Sequence, residues 1–289
     1  MRRSVGQATK RVMLITHQAP EATQHGLPSL LSMVESAGVE LFAAPEEMVK
    51  HPILEGRAST ADVTLRPGGE DVILVLGGDG SILRALGQCA GSGAPVIGVN
   101  FGRVGFLASI EPSNMERDLS RLFAGEYRIL DLPSLDVSWA DGKGQAVNDL
   151  AILRGGESRI VDLTYAIDGE QVANVRGDGL IASTPVGSTA YNLAAGGPTV
   201  SWKVRCYVLT FIAAHHLDTR PLVISPDETL TITNAAVVGD CDLLSDGKRV
   251  GSLGPGRTIT INMSGPEVHL GIFPEASFFR RYREKFGRG

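Results

Sequence analysis

Two patterns of apolar and polar positions divide the chain near Tyr127. Before that residue, short apolar runs alternate with segments whose apolar residues recur at helical spacing. The runs that predict buried strands are Val12–Thr16, Val39–Ala43, Val72–Leu76 and Pro95–Asn100. The segments that predict helices are Leu27–Val34, ending at Gly38, Ile82–Leu86, and Met115–Phe123, which Ser113 and Glu116 open in capping-box form. This alternation predicts a parallel sheet with helices on both faces and ligands at the carboxyl ends of its strands.

From Tyr127 onward, short alternating runs are separated by turn signals such as Asp-Gly. The runs are Leu135–Trp139, Ala146–Leu153, Ile160–Ile167, Leu222–Ile224, Thr229–Asn234, Arg257–Asn262 and Glu267–Ile272. They predict an antiparallel β domain. Ser277–Phe286 returns to helix, with Phe278, Tyr282 and Phe286 on one face and arginines on the other; we expect it to dock on the first domain rather than on a membrane.

The predicted fold class is therefore α/β plus all-β. A Rossmann-like parallel α/β domain, residues 1–127 joined by the C-terminal helix 276–289, is followed by an antiparallel β-sandwich domain, residues 128–275. The boundary near residue 127 is soft, because no linker composition marks it.

Composition narrows the function classes. The 289 residues carry a net charge of −5, which does not favour binding of nucleic acid or an anionic membrane across the surface. No apolar run has the length of about 18 residues that a membrane span needs. Cys89, Cys206 and Cys241 are few and widely spaced, which indicates neither a disulfide framework nor a metal site and favours a cytoplasmic location.

The most informative stretch is the turn Gly77–Gly80 between the Val72–Leu76 strand and the following helix. A glycine-rich turn at a helix N-terminus presents backbone N–H groups and a positive dipole end, which favours phosphate. A carboxylate there needs a function of its own. Asp79 is therefore a candidate base or Mg²⁺ ligand; the alternative is a tight turn that simply uses three glycines and an Asp.

A second glycine-rich stretch, Arg176–Pro198, lies in the β half and is rich in Ser and Thr. Small hydroxyl residues beside glycines let a ligand approach the backbone and receive hydrogen bonds. Arg176, Asp178 and Tyr191 add two charges and an aromatic ring. The alternative is a solvated loop.

With these motifs the sequence closely resembles NAD kinases, which phosphorylate the adenosine ribose of NAD to give NADP. The resemblance spans about residues 71–289. Its three main blocks are Gly77–Gly80, Asn148-Asp149 and Gly177–Pro198, and its supporting matches are Gly98–Leu107, Arg220–Val223, Asp246-Gly247 and the aromatic and basic C-terminus.

The resemblance implies a role for each site residue. Asp79 would be the general base toward the 2′-hydroxyl and would contact the dinucleotide, Gly80 would lie against it, and Arg84 would neutralise phosphate. The remaining residues expected to bind the nucleotide are Asn148, Asp149, Arg159, Arg176, Asp178, Thr189, Ala190, Tyr191, Asn192, Leu193 and Ala194. ATP or polyphosphate would be the donor, Mg²⁺ would arrive on the nucleotide rather than in a protein metal site, and the protein would be a homodimer or homotetramer.

Five departures from the family pattern are visible: Val186 for Thr, Ala194 for Ser, Trp202-Lys203 for His-Pro, Phe211–Ala214 in the Pro-Ile-x-Pro segment, and Lys248 for Gln. None involves Asp79. Two other functions stay open from the sequence. Lipid kinases of the diacylglycerol and sphingosine type share the Gly-Gly-Asp-Gly turn, and a catalytically silent NAD(H) sensor would keep the binding motifs without needing the base.

Overall fold

A computed structural model describes residues 2–3, 8–61, 71–102, 105–156, 160–216 and 218–287. The chain forms two compact units, Met1–Asp131 with Glu267–Gly289, and Leu132–Pro266. The first unit has a largely parallel sheet with helices, and the second has two antiparallel sheets, which confirms the predicted fold class. Among the described residues, no helix is both long enough and apolar enough to span a membrane.

The sheet of the first unit takes strands from both ends of the chain. Its strands are β1 (Arg2–Arg3), β2 (Arg11–Thr16), β3 (Glu40–Ala43), β4 (Ser59–Thr60), β5 (Asp71–Gly77), β6 (Val96–Asn100), β7 (Arg128–Leu132) and, from the end of the chain, β20 (Val268–Ile272). Their order across the sheet is β1-β7-β20-β6-β5-β2-β3-β4. Pairs β2–β5 and β5–β6 are parallel, so the carboxyl ends of β2, β5 and β6 share one edge.

The helices of the first unit are α1 (Leu27–Ala37), α2 (Pro45–Lys50), α3 (Asp79–Gln88), α4 (Met115–Phe123) and, as the last helix of the chain, α6 (Phe278–Phe286). Gly38 ends α1 in the left-handed region at φ 63°, as its position after the apolar stripe predicted. Fully buried side chains of strands and helices, including Leu14, Leu74, Leu30 and Leu119, form one core.

One local prediction for this unit needs correction, and one helix was not predicted. The capping box at Ser113 and Glu116 does not form, because Pro112–Asn114 is a 3₁₀ turn that leads directly into α4 and no side chain caps that helix. Helix α2 was not predicted, because six residues are too few to show a helical period.

The second unit is a β-sandwich. Its strands are β8 (Leu135–Trp139), β9 (Gly142–Ala146), β10 (Asp149–Arg154), β11 (Val161–Ile167), β12 (Glu170–Gly177), β13 (Gly179–Ser183), β14 (Tyr207–Ile212), β15 (Leu222–Ile224), β16 (Leu230–Asn234), β17 (Cys241–Ser245), β18 (Lys248–Leu253) and β19 (Thr258–Asn262). One sheet has the order β15-β14-β13-β10-β17-β18 and the other β12-β11-β16-β19-β8-β9. Apolar side chains from both sheets form a common core. The short helix α5 (Tyr191–Ala194) follows a 3₁₀ turn at Gly187–Thr189.

Three segments differ from their sequence-based assignment. The run 267–272 was placed in the β-sandwich, but β20 pairs in parallel with β6, because alternation identifies a strand and not the sheet that receives it. The predicted strand Ala146–Leu153 is interrupted at residues 147–148. The predicted boundaries 127/128 and 275/276 likewise differ from the limits of the compact units, 131/132 and 266/267.

The C-terminal helix α6 belongs to the first unit, as predicted. The rings of Phe278 and Phe286 lie 6.0 and 5.9 Å from that of Phe106. Arg281, one of the arginines predicted to lie on the face opposite these aromatic residues, is buried.

Candidate active site

The glycine-rich turn lies at the carboxyl edge of the parallel sheet. Strand β5 ends at Gly77, Gly78 occupies the N-cap position and α3 begins at Asp79. The neighbouring strands β2 and β6 end at Thr16 and Asn100 on the same edge. The N-terminus of α3 therefore faces the region where ligands of such sheets bind.

Asp79 is held by a loop that follows β6. Its Oδ2 accepts a hydrogen bond from the Phe106 N–H at 2.6 Å, and its Oδ1 accepts one from the Leu107 N–H at 3.0 Å. A Cβ atom on Gly105 would overlap the Asp79 carboxyl group, so a larger residue there would force the carboxyl group or its loop to move. Each carboxylate oxygen can accept two hydrogen bonds, so the half-buried carboxylate keeps acceptor capacity for a ligand.

Gly80 and Arg84 follow on α3. Gly80 is exposed, and among the described residues no atom outside its chain neighbours and its own helix backbone lies within 4 Å of the place where its Cβ would be. Arg84 is half-buried and donates a hydrogen bond to the main-chain oxygen of Thr16 at 2.9 Å. This contact ties the predicted phosphate-binding arginine to the end of β2.

The end of β2 is in turn fixed by a buried polar network from α2. The Thr16 Oγ1 donates to Glu47 Oε2 at 2.5 Å, lies 2.9 Å from His51 Nε2 and accepts from Lys50 Nζ at 3.0 Å. Burial lowers the pKa of His51, while the Glu47 charge opposes this shift and the Lys50 charge adds to it. No pattern in the sequence indicates this network, because α2 itself was not predicted.

In the second unit, one carboxylate organises the predicted nucleotide-binding pair. Asp246 lies in the β17–β18 hairpin turn with φ 48° and accepts hydrogen bonds from three consecutive backbone N–H groups. Its contacts are Val147 N at 3.0 Å, Asn148 N at 2.7 Å and Asp149 N at 3.2 Å. These bonds explain why the strand pattern breaks at residues 147–148. The Asp-Gly pair was noticed as a supporting match, but not this clamping role.

The two side chains of the Asn148-Asp149 pair are poised in different ways. Asp149 is only 5% exposed, and burial, with the Asp246 charge added, raises its pKa to about 7. Burial also raises the pKa of Asp246, while its three backbone N–H donors act in the opposite direction. Asn148 Oδ1 is buried and finds no hydrogen-bond partner among the residues that the structure describes. An unpaired buried acceptor is costly, so it fits an N–H or O–H donor of a ligand.

The loop after β13 packs on the same segment. Thr184 Oγ1 donates to the Val147 oxygen at 2.7 Å, and a Cβ on Gly187 would overlap the Asn148 backbone. Asn192 is fully buried and its amide bonds to Ser188 O, Pro198 O and Thr210 Oγ1. Asn192 therefore maintains the shape of this loop and has no exposed atom to offer a nucleotide.

The other predicted members of this loop are more accessible. Ala190, Tyr191 and Ala194 are exposed, while Thr189 and Leu193 are half-buried. They lie in the short helix α5 or directly before it, and the exposed residues form the solvent-accessible surface of this loop.

The structure does not bring Arg176 and Asp178 to the Asn148-Asp149 pair. Strands β10 and β13 are antiparallel. Asp149 lies opposite Ser183 at one end of the pair, and at the other end the main-chain oxygen of Asp178 accepts a hydrogen bond from the Arg154 N–H. At about 3.4 Å per residue, this separates the two groups by roughly 17 Å. Asp178 pairs with Arg154 at 3.5 Å, and Arg176 pairs with Asp162 at 3.6 Å. Arg159 lies outside the described residues.

Two contributors to the first unit's site were missed. They are the backbone N–H groups of Phe106 and Leu107, which no side-chain pattern reveals, and Arg281 of α6, whose Nη1 donates to the Phe106 oxygen. Across the described residues, no group of three or more His, Cys, Asp or Glu side chains is arranged to hold a metal ion.

Two family models match the chain. The model described as ATP-NAD kinase N-terminal domain matches residues 10–127, and the one described as ATP-NAD kinase C-terminal domain matches residues 147–270. An NAD kinase of Lachnoclostridium phytofermentans is 34% identical over 289 residues, covering 96% of this chain and 99% of that protein. An NAD kinase of Gemmatimonas aurantiaca is 35% identical over 272 residues, covering 91% and 92%.

Solved structures show the same fold. A yeast NADH kinase in complex with NADH superimposes with a TM-score of 0.85 at 22% identity, covering 98% of this chain and 89% of that one. An NAD kinase from Archaeoglobus fulgidus in complex with ATP gives a TM-score of 0.71 at 26% identity, covering 96% and 97%.

Proposed function

The chain belongs to the NAD kinase family, and from this we propose how its residues carry out phosphoryl transfer from ATP to NAD. The product is NADP, so the acceptor is the 2′-hydroxyl of the adenosine ribose. The observation that carries the proposal is the Asp79 carboxylate, oriented by the Phe106 and Leu107 N–H groups at the carboxyl edge of the sheet.

Asp79 acts as the general base. A ribose hydroxyl does not ionise near neutral pH, so a positioned carboxylate that accepts its proton contributes about 10²- to 10⁴-fold. The two backbone donors fix the carboxylate plane and leave acceptor positions open. Gly80 allows the nucleotide to approach the backbone closely, because nothing described fills the space beside it.

Phosphate is neutralised by Arg84 and by the N-terminus of α3. Arg84 is anchored by one contact to Thr16, and a guanidinium has further donors for phosphate oxygens. Mg²⁺ characteristically binds one or two carboxylates together with substrate phosphates. The ion would arrive on the phosphates of ATP rather than in a protein metal site, and it would supply charge neutralisation at the transferring phosphate.

NAD binding is assigned to the second unit. Asn148 would accept a hydrogen bond from the dinucleotide through its unpartnered Oδ1, and Asp149 would contact the adenosine ribose. Thr189, Ala190, Tyr191, Leu193 and Ala194 would lie along the nucleotide. Asn192 would act only by maintaining their loop.

A homodimer or homotetramer is part of the proposal. What supports it is the separation of roughly 17 Å between Asn148-Asp149 and the Arg176–Asp178 group, since one nucleotide-binding segment would then be supplied by another copy. Light scattering during size-exclusion chromatography measures the molar mass of the protein directly, and a monomer at micromolar concentration would contradict the proposed oligomer. A cytoplasmic location is also proposed; the three cysteines are free and buried, which suits a reducing compartment.

The test of the function is NADP formation from NAD with Mg-ATP, read through an NADP-specific dehydrogenase, with polyphosphate offered in a parallel reaction. We expect NADP from the wild type, and a fall in kcat of at least about 10²-fold in Asp79→Asn with NAD binding retained. Asp227→Asn, the same change on the exposed surface, is the matched control.

A loss below tenfold in Asp79→Asn would remove Asp79 as the base. A folded wild type that binds NAD and forms no NADP with either donor would instead identify a sensor. Thermal melting of each variant separates these results from misfolding.

A further inference from the structure

The C-terminal helix α6 carries an arginine in an unusual environment. Arg281 is only 7% exposed, whereas the side chain of its neighbour Arg280 is 53% exposed and pairs with Glu284 at 2.8 Å. Burial lowers the pKa of the Arg281 guanidinium to about 10, while the charge of Asp79 acts in the opposite direction. Burying a guanidinium costs free energy unless it is well bonded, so this position calls for a partner of matching chemistry.

One such partner is the peptide group that holds Asp79. Arg281 Nη1 donates a hydrogen bond to the main-chain oxygen of Phe106, and its Nη2 lies 3.4 Å from Ser109 Oγ. The Phe106 oxygen and the Leu107 N–H belong to one peptide group. The same peptide therefore accepts from Arg281 at its oxygen and donates to Asp79 Oδ1 at 3.0 Å through its N–H.

Such an arrangement strengthens both hydrogen bonds. A positive charge at the carbonyl end polarises the peptide group and makes its N–H a better donor, and a carboxylate at the other end acts in the same sense. The peptide thus lies between two opposite charges along its dipole. Removing the guanidinium weakens the bond that orients Asp79 without touching the carboxylate itself.

Aromatic contacts keep the helix against this loop. The ring of Phe106 packs on Phe278 and Phe286, and Lys285 Nζ lies 4.9 Å from the centre of the Phe106 ring. The loop is therefore held by α6 at both its side chain and its main-chain oxygen. These contacts fix where the Arg281 head reaches the peptide.

We propose that Arg281 is a positioning residue for the phosphoryl transfer, acting on Asp79 through the Phe106–Leu107 peptide group. The inference rests on the proposed role of Asp79 as the base. It predicts that loss of the guanidinium lowers kcat and leaves the binding of NAD unchanged, because Arg281 orients the carboxylate rather than the dinucleotide.

The experiment is a double-mutant cycle. We expect Arg281→Met to lower kcat about tenfold or more with KM for NAD changed less than twofold, and Arg281→Lys, which keeps the charge, to recover part of the loss. In an Asp79→Asn background, Arg281→Met should cause no further fall in kcat, because the carboxylate that it orients is already gone. Arg280→Met, on the exposed position of the same helix, should stay within twofold of wild type.

Each outcome separates the inference from the proposed function. An undiminished kcat in folded Arg281→Met, or the same fold-loss in both backgrounds, would overturn the positioning role while leaving Asp79 as the base. A small effect of Asp79→Asn alone would remove the base itself. If Arg281→Met does not fold, as judged by circular dichroism, the cycle is run with Arg281→Lys, for which additive losses overturn the inference in the same way.

Discussion

Asp79 and Asp246 make the same kind of contact in two different units of the chain. Each carboxylate accepts hydrogen bonds from consecutive backbone N–H groups, two in the case of Asp79 and three in the case of Asp246. Asp79 begins a helix, whereas Asp246 lies in a hairpin turn, and both residues are half-buried.

The difference shows that a carboxylate bonded to consecutive backbone N–H groups can have different roles, depending on its surroundings. The Asp79 carboxylate retains open acceptor positions at an accessible edge, so it can take a proton from a substrate. The Asp246 carboxylate uses most of its acceptor positions for three main-chain donors. It can therefore fix the Asn148-Asp149 segment, but few positions remain for a substrate. Backbone donors orient a carboxylate in both cases, and the number of acceptor positions left open decides what else the carboxylate can bind.

The most damaging way to break this comparison is Gly105→Ala. The added methyl group would overlap the Asp79 carboxyl group, so the carboxylate or its loop must move. Because a displacement of about 1 Å at a reacting group can cost about 10²-fold, we expect kcat to fall by that order while NAD affinity stays within twofold. Steady-state kinetics and NAD titration measure both.

Gly87→Ala is the matched control, because Gly87 lies exposed on α3 with free space around it. It should leave kcat unchanged and stabilise the helix by roughly 0.5–1 kcal/mol. Equal kinetics for Gly105→Ala and wild type would show that the loop does not constrain Asp79.

Asp149→Asn tests how much the buried Asp149 carboxyl group, next to Asp246, lowers the free energy of unfolding. Folded Asp149 keeps its proton up to about pH 7, whereas an unfolded aspartate loses it near its model value of 3.8. Between these values the folded chain binds more protons, so the free energy of unfolding falls as pH rises. Asparagine avoids this loss. We expect urea unfolding to show a gain for Asp149→Asn that is on the order of 2–3 kcal/mol larger at pH 8 than at pH 5.

The same variant should bind NAD more weakly, since stability at a binding site often opposes function. A gain in unfolding free energy of equal size at both pH values would mean that Asp149 is ionised alike in the folded and unfolded chains.

Asp246→Asn removes one acceptor from the three-donor clamp and is expected to have the smallest effect. An asparagine must direct its NH₂ group at one of the backbone N–H groups, which leaves a buried donor unsatisfied at a cost of about 1–2 kcal/mol. We expect KM for NAD to rise about tenfold at most and kcat to change less than threefold. An unchanged KM in the folded variant would show that the clamp does not position Asn148 and Asp149.

The sequence predicted those parts of the fold whose pattern is local. Buried strands β2, β5 and β6, helix α1 with its terminal Gly38, and the Asp-Gly hairpin turns all follow from residue type and spacing. Helix α2 escaped because it is short and its Glu47 is buried by contacts with Thr16, which no period records. The sheet that receives residues 267–272 was equally undetermined, because an alternating run suits either sheet.

The candidate site was predictable to a similar extent. Asp79 stood out because a carboxylate at a glycine-rich helix N-terminus is chemically unexpected. The hydrogen-bond donors to Asp79 could not be recognised, because they are the backbone N–H groups of Phe106 and Leu107, and such groups do not depend on the side chain. Arg281 is one of several arginines in α6, and only the docking of that helix distinguishes it from Arg280. The separation of Asp178 from Asp149 needed the register of β10 and β13.

The first unit is built from the two ends of the chain, and this has a consequence for its synthesis. Strand β20, which lies between β6 and β7 in the sheet, and helix α6 are translated after the whole second unit. On the ribosome, the N-terminal segment must therefore wait with a gap in its sheet, exposed to mispairing, while the β-sandwich can already fold. The Asp79 loop receives its Arg281 contact only after residue 281 has left the exit tunnel, so a chain terminated before that residue would carry an Asp79 carboxylate without this support.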